Sequence, residues 1–456
     1  MTATLEQATY RDPELAEAVR ERTASAGVRL VDLQFSDLAG GARAMTIPSD
    51  LLPVVLAHGY RFDGSAVTGG EREVELDLYL VPDPGTLMIF PEHPGAPQGR
   101  SPRRAQLSCS VQRRDGQPFA GDPRSVLERV LTEARAAGYD YQVAIELEFY
   151  LFDRPPAEVI PRPDPVGYYG VGSEVSAAAR DDVIATLQLM GMAVGGAHHE
   201  TGPGQEELDL LPAPALRIAD QVLTVRQVIR TVAQRHGLRA NFMPKPLTQA
   251  PGSGMHVFQR LARLADGADA LRGDGDNISA IARQAIAGQL AHAAAMCLVV
   301  CPTVNSYKRL AAGHRAPRHA TWARLTQDSL IRIPSWTAAA HAGVELELRS
   351  PDNMANPYLA LAVALACALD GMRTGDEPPA PLDENLVRYD DDELQRLGVT
   401  RLPSTLGDAL HVFREDDVVR AALGDYVSDQ LVQVKQAEWV EYRRHVSPWE
   451  QARYGE

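Results

Sequence analysis

"YQVAIELEFYLF" runs from Tyr141 to Phe152. A strand turns successive side chains to opposite faces, so residues two apart point the same way. Val143, Ile145, Leu147, Phe149 and Leu151 then form one apolar face, and Glu146 and Glu148 lie adjacent on the other. The stretch reads as a strand of a sheet that buries one side and keeps carboxylates on the other.

Three more segments carry the same pattern. In "GVELELR", Val344, Leu346 and Leu348 face the core while Glu345, Glu347 and Arg349 face away together. In "GQEELDLL", Leu208 and Leu210 oppose Gln205, Glu207 and Asp209. In "GMHVFQRL", His256, Phe258 and Arg260 share a face. Any one of these faces suits a solvated strand. Four of them, flanked by "HHETGPGQ" and "NFMPKP", suggest instead a shared pocket floored by carboxylates and one histidine. Such a pocket is strongly repulsive without cations. Hard oxygen donors with one imidazole suit Mg²⁺ or Mn²⁺ better than zinc, and such ions activate carboxylates and phosphates.

The 456 residues suffice for two structural units. A net charge of −15 argues against nucleic acid as a main partner. No basic-then-apolar leader is seen, and no apolar run reaches the ~18 residues of a membrane span. "IAGQLAHAAAMCLVV" (Ile286–Val300) comes nearest and reads as one buried helix, because it contains Gln289 and His292. Cys109, Cys297, Cys301 and Cys367 are too few for a disulfide scaffold, which points to packed thiols in a reducing, cytoplasmic setting.

Helices are expected over residues 13–27, 215–237, 406–422 and 425–446, and after Asp122, which caps a helix with Pro123 in its first turn. The Pro- and Gly-rich segment Pro91–Arg104 is a plausible boundary, dividing the chain into 1–105 and 106–456. Asp266–Asn277 reads as a solvated loop rather than a calcium loop, since it lacks the closing glutamate.

The ordered motifs "VDLQFSDLAG", "FDGSAV", "ELEFYLF", "HHETGPGQEE", "NFMPKP", "GSGMHVF", "NSYKRL", "IRIP" and "ELRSPDNMANPYLALA" resemble the glutamine synthetase family, specifically its bacterial type I members. The resemblance spans nearly the whole chain. It implies an α+β fold: a small β-grasp-like N-terminal domain, then a catalytic domain whose curved antiparallel sheet is flanked by helices. It also implies a homo-oligomeric ring, commonly two stacked hexamers, with active sites between subunits and Asp63 reaching across. The substrates implied are a small carboxylate or amino acid and ATP, with two divalent ions. Glu148, Glu200 and Glu207 match the ligands of one ion; Glu146, His256 and Glu347 match those of the other. Arg309, Arg349 and Gly252 match the contacts to the substrate's carboxylate end, and Arg332 an arginine at the phosphate-transfer end.

The pattern breaks in places. The family's flap glutamate, which helps bind ammonium and remove its proton, falls on Arg315. Arginine stays protonated near neutral pH, cannot act as a base there, and repels ammonium. Phe258 replaces a histidine, Arg260 a small hydroxyl residue, and Gln327 and Glu345 replace arginines near the nucleotide, although Arg324 stays. Pro251 replaces an asparagine, Ala66 a serine, and Val387 a modifiable tyrosine, with Tyr389 close by. These changes oppose the family's usual ATP pose. They lead first to a divalent-metal-dependent ligase that joins a glutamate-like carboxylate to an amine other than ammonia. An ATP-independent metalloenzyme performing hydrolysis, decarboxylation or proton abstraction is the second reading, and a non-catalytic scaffold the third.

Overall fold

A computed structural model describes residues 13–68, 76–91, 102–153, 166–171, 174–274, 277–312, 315–334, 343–384, 389 and 391–455. Most of the Pro91–Arg104 boundary segment and Val387 lie outside the described residues.

The N-terminal part is a six-stranded sheet. Its order is Ala42–Pro48, Leu30–Ser36, Arg104–Gln112, Asp77–Pro82 and Tyr60–Asp63, with Met88–Ile89 also on Arg104–Gln112. Leu30–Ser36 runs parallel to Arg104–Gln112, and the other pairs are antiparallel. The helices Pro13–Ser25 and Leu52–His58 contribute Ala16, Val19, Leu52, Val55 and Leu56 to a core of their own with Val31, Leu33, Leu80 and Leu107. Arg104–Gln112 belongs to this sheet, so the small unit runs past the boundary expected after residue 105. The proline- and glycine-rich stretch precedes the strand that completes the sheet, which is why composition placed the division too early.

The larger part is built on an eight-stranded sheet. Its order is Trp322–Ala323, Ile331–Arg332, Leu346–Leu348, Met255–Arg263, Tyr139–Phe152, Gln205–Pro214 and Val194–His199, with Arg239–Asn241 also on Tyr139–Phe152. The pairs are antiparallel except Trp322–Ala323 with Ile331–Arg332. Register shifts between Val143 and Ile145 and between Val194 and Gly196 bend the sheet, as bulges do. Val143, Ile145, Leu147, Phe149 and Leu151 all pack into the main core, together with Ala215–Arg235, Pro123–Ala136 and Pro357–Thr374. The caps follow the sequence: Asp122 accepts from the Arg124 and Ser125 amides, and Pro123 opens its helix.

Buried polar contacts join the two parts. The Arg124 guanidinium donates to Asp220, Asp83, Ser110 and Glu128. Gln106 and Gln34 donate to the Thr224 hydroxyl, and Asn356 donates to Ser36 and the Asp37 carbonyl. No helix is long and apolar enough to cross a membrane among the described residues. The four cysteines are free and buried.

The stretch read as one buried helix is two, Ala280–Ala291 and Ala293–Val300, broken at His292. His292 leaves helical geometry at φ −98° and ψ 6°. Its Nδ1 lies 2.7 Å from Asp416 and its Nε2 3.2 Å from Asp370. The break thus aims an imidazole at two carboxylates on neighbouring helices. The region expected as one helix over 406–422 is likewise divided, with Asp416 capping the second piece, Asp417–Leu423.

The Asp416 hydrogen bond raises the His292 pKa above its usual value against the opposing effect of burial. A raised folded-state pKa means stability that is full below the unfolded histidine value and lost as pH rises through the folded one. His292→Asn should therefore cost about 1–2 kcal/mol near pH 6 and clearly less near pH 9, read by denaturant titration against the parent at both pH values.

Candidate functional site

Strand register brings the acidic residues together. Glu146 pairs directly with His256 across one neighbour and with Asp209 across the other. Glu148 stands opposite Glu207, and Glu207 opposite His198. Phe258 and Arg332 stand opposite Glu347. Because the alternate residues are anchored in the core, a one-residue slip would bury the carboxylates among leucines.

Among the described residues, three groups of side chains lie close enough to share an ion: Glu146, His256 and Glu347; His198, Glu200 and Glu207; and Glu146, Glu207 and Asp209. In the first group His256 Nδ1 is 3.2 Å from Glu146 and 3.7 Å from Glu347. This is one of the two ligand sets expected from the sequence. The other set is placed differently. Glu200 and Glu207 gather around His198, whose Nε2 and Nδ1 lie 3.7 Å from each carboxylate in turn. Glu148 turns toward the Gly254 amide, which donates to it at 2.7 Å, and sits 4.0 Å from His256 Nε2. His198 and Asp209 were not among the expected ligands. Asp209 shares the Glu207 face, and His198 lies two residues before Glu200 in "HHETGPGQ", so period-two counting was the signal that could have found both.

Glycine makes one approach here necessary. A Cβ on Gly254 would sit 2.5 Å from Arg309 Nη2 and 2.7 Å from His256 Nε2. Gly252 is nearly as crowded: a Cβ there would meet Arg309 Cγ at 2.7 Å.

The electrostatics are lopsided. Burial first, then Glu347 and Asp209, push Glu146 up to about 9. Burial first, then Glu146 and Glu148, push Glu207 up to about 10. Burial raises Glu148 and Asp209 too. Glu200 goes the other way: burial opposes ionisation, but His198 and the Thr201 amide and hydroxyl bring it below the usual carboxylate value. Burial and the guanidiniums of Arg349, Arg309 and Arg332 hold His256 well below its ordinary pKa, so the ring is neutral and able to bind a metal. His198 Nε2 and Asp209 Oδ1 are buried and have no hydrogen-bond partner among the described residues. Oxygen-rich donors, the neutral His256 imidazole and unpartnered buried atoms fit hard divalent cations.

The arginines are placed unevenly. Arg332 Nε and Arg349 Nη1 both pair with the fully buried Glu347 carboxylate. Arg349 also donates to the carbonyls of Gln327 and Arg315. Arg309 is buried and donates to the carbonyls of Arg349, Ser350 and Pro351. In this conformation both arginines expected to hold a substrate carboxylate are largely occupied by backbone. Arg332 keeps its terminal nitrogens without a partner among the described residues. Asp63 lies on the edge strand of the small sheet and accepts from the Ser65 amide. Arg324 lines a cavity of about 630 Å³ with Asp274, Ile278, Arg283, Trp322 and Pro379, apart from the carboxylates grouped above.

Two of the departures turn out to be partners. Arg260 Nε donates to Glu345 at 2.7 Å, so the added acid and the added base neutralise each other. Phe258 is buried between strands. Arg315 is exposed, at φ 56°, with its guanidinium 5.4 Å from the centre of the Tyr168 ring.

Comparison with known proteins covers both parts of the chain. Residues 27–113 match the glutamine synthetase beta-Grasp domain and residues 120–454 the glutamine synthetase catalytic domain. Glutamine synthetase of Clostridium saccharobutylicum is 38% identical over 98% of this chain and 99% of its own length. That of Halobacterium salinarum is 37% identical over 96% of each. Among solved structures, GmaS in complex with ADP superposes with a TM-score of 0.83 at 30% identity, covering 96% of this chain and 99% of that one. GmaS without ligand gives 0.79 at 30%, covering 95% and 98%. Resemblance in sequence, domain order and tertiary structure thus agree, and the chain is a member of the glutamine synthetase family, an enzyme of the carboxylate–amine ligase class.

Proposed function

We propose that this enzyme joins a glutamate-like carboxylate to a primary amine other than ammonia, with ATP as phosphoryl donor. The observation that carries this reading is Arg315, a cation where the family's ammonium-binding carboxylate falls. A guanidinium repels ammonium and cannot take its proton. The likeness to GmaS, a gamma-glutamylmethylamide synthetase, points the same way and supports retention of the nucleotide.

The chemistry balances in two steps. A carboxylate oxygen attacks the terminal phosphorus of ATP; the bond to ADP breaks, leaving an acyl phosphate. The amine nitrogen then attacks the acyl carbon, a C–N bond forms, and phosphate leaves with the C–O electron pair. The leaving phosphate takes the proton shed by nitrogen, so no protein base is needed at Arg315. Glu146, His256 and Glu347 would hold one divalent ion, and Glu200 and Glu207, with Glu148 and His198 beside them, a second. Such ions supply the positive charge that draws phosphate and carboxylate oxygens together. Arg332 orients the phosphate with its unpartnered terminal nitrogens. Arg309 and Arg349 position the carboxylate substrate, releasing backbone carbonyls as it enters, while Gly252 leaves room for the substrate beside Arg309. Asp63 completes a neighbouring subunit's site in a homo-oligomeric ring. The Arg260–Glu345 pair leaves the nucleotide end electrically neutral rather than acidic, which removes the main reason to prefer a nucleotide-free reaction.

Adding Mn²⁺ tests the site directly. Carboxyls whose folded pKa is raised bind protons more tightly folded than unfolded, so their effect on metal-free stability worsens as pH climbs from about 4.5 towards 9–10. The gain in melting temperature from Mn²⁺ should therefore be larger at pH 8 than at pH 6; an equal or smaller gain would place the ions elsewhere. Glu207→Gln relieves repulsion, so the metal-free protein should melt no lower than the parent. It should nevertheless lose the Mn²⁺ gain and roughly 100-fold or more in turnover. Arg315→Glu should raise ammonium-dependent phosphate release from L-glutamate and ATP by about tenfold or more. An unchanged rate would mean that the position does not select against ammonium.

A further inference from the structure

Two non-glycine residues have positive φ among the described residues, Tyr169 at 58° and Arg315 at 56°. Such backbone is uncommon and costly for side-chain-bearing residues, and it concentrates at ligand clamps and switch regions. These two come from segments far apart in sequence yet meet at one rim of the carboxylate pocket. Tyr169 stacks on the His198 ring, with centroids 4.1 Å apart and planes 6° from parallel. Tyr168 packs edge-on against the same imidazole at 5.4 Å and carries the Arg315 guanidinium on its face. His198 in turn lies 3.7 Å from Glu200 and from Glu207. On the opposite side the Arg315 carbonyl accepts from Arg349, whose guanidinium pairs with Glu347. Arg315 is therefore tied at both ends to residues of the pocket.

The rim is open and its charge is unmatched. Tyr168 is 46% exposed and Tyr169 66% exposed, large values for aromatic rings beside a buried pocket. Arg315 has no carboxylate partner among the described residues, in a chain of net charge −15. A planar cation resting on an aromatic face, beside a second exposed ring, offers a fork for a carboxylate and an apolar wall for the atoms attached to it.

We propose that Tyr168, Tyr169 and Arg315 form the recognition site for the amine substrate, and that this amine carries a carboxylate of its own, as an amino acid does. The carboxylate pairs with Arg315, the carbon body lies against Tyr168 and Tyr169, and the amino group points down past His198. The inference rests on the ligase reading above and adds the substrate class. In the coupling step the amino nitrogen forms the new C–N bond, phosphate departs from the acyl carbon, and the amine's own carboxylate stays unreacted on Arg315.

Phosphate release by the full-length protein with L-glutamate, ATP and Mn²⁺ tests this. Glycine, β-alanine and 4-aminobutyrate are each compared with an n-alkylamine of matched chain length. At least one amino acid should show a KM about tenfold or more below that of its matched alkylamine. Arg315→Gln should erase that advantage by raising KM for the amino acid alone, Arg315→Lys should recover part of it, and Tyr168→Ala should raise KM for both members of a pair. Alkylamines used as well as or better than every amino acid would overturn the proposal while leaving the ligase intact, as would an Arg315→Gln variant that affects both equally. Phosphate release that no amine stimulates would sink the ligase reading and this one together.

Discussion

The central constraint on this molecule is a surplus of buried negative charge on one face of one sheet. Glu146, Glu148, Glu207 and Asp209 project from paired strands whose alternate residues are fixed in the core. Two of the guanidiniums that the protein supplies to this region pair with Glu347, Arg332 through its Nε and Arg349 through its Nη1. A third, Arg309, is held by carbonyl oxygens. The remaining carboxylates must keep their protons or acquire cations from outside. Much of the surrounding architecture follows from that. Gly254 clears the floor, the Gly254 amide steadies Glu148, and desolvation keeps His256 neutral. The pocket is destabilising in isolation, as expected of a site built for function rather than stability.

Period-two alternation made the acidic face legible before any coordinates. It put Glu146 beside Glu148 and placed Glu207, His256 and Glu347 on polar faces, because a strand anchored on one side leaves no freedom on the other. Helix capping was legible for the same local reason, as Asp122 and Pro123 show. What sequence could not disclose was pairing across distance. The His292 break is invisible to hydropathy, since its cause is a pair of aspartates some 80 and 120 residues away. Likewise Glu148 belongs to the expected cluster by face, yet its carboxylate is claimed by an amide from another strand end, a contact no periodicity contains.

The nucleotide end illustrates the same limit with a different consequence. Counted singly, Arg260 and Glu345 are two unrelated departures, one adding a cation and the other exchanging a cation for an anion. Their 2.7 Å contact makes them one neutral pair, so the added acid is not left bare, although the site still has one positive charge fewer than the family pattern. Exposed ion pairs contribute little stability, and this one is only partly buried, so its main effect is electrostatic cancellation rather than binding energy. A site judged hostile to polyphosphate by adding up residues is merely neutral once the pair forms. The argument against ATP then loses its strongest member, leaving Phe258 as a change of shape and Gln327 as one arginine fewer.

Arg315 does not cancel in that way. Replacing a carboxylate by a guanidinium shifts the local charge by two units, and no acid among the described residues moves in to offset it. At an effective dielectric near 20 and a separation of ~7 Å, each unit is worth about 2 kcal/mol to a monovalent ion. On the reading proposed above, that charge difference corresponds to roughly three powers of ten against ammonium at this position and a similar factor in favour of a carboxylate. Left-handed backbone at Arg315 and Tyr169 costs of order 1–3 kcal/mol each, which the surrounding contacts must offset. Left-handed backbone at two residues gathered around the Tyr168 ring accords with a joint grip on a ligand, and the unmatched positive charge favours the carboxylate-bearing amine proposed above.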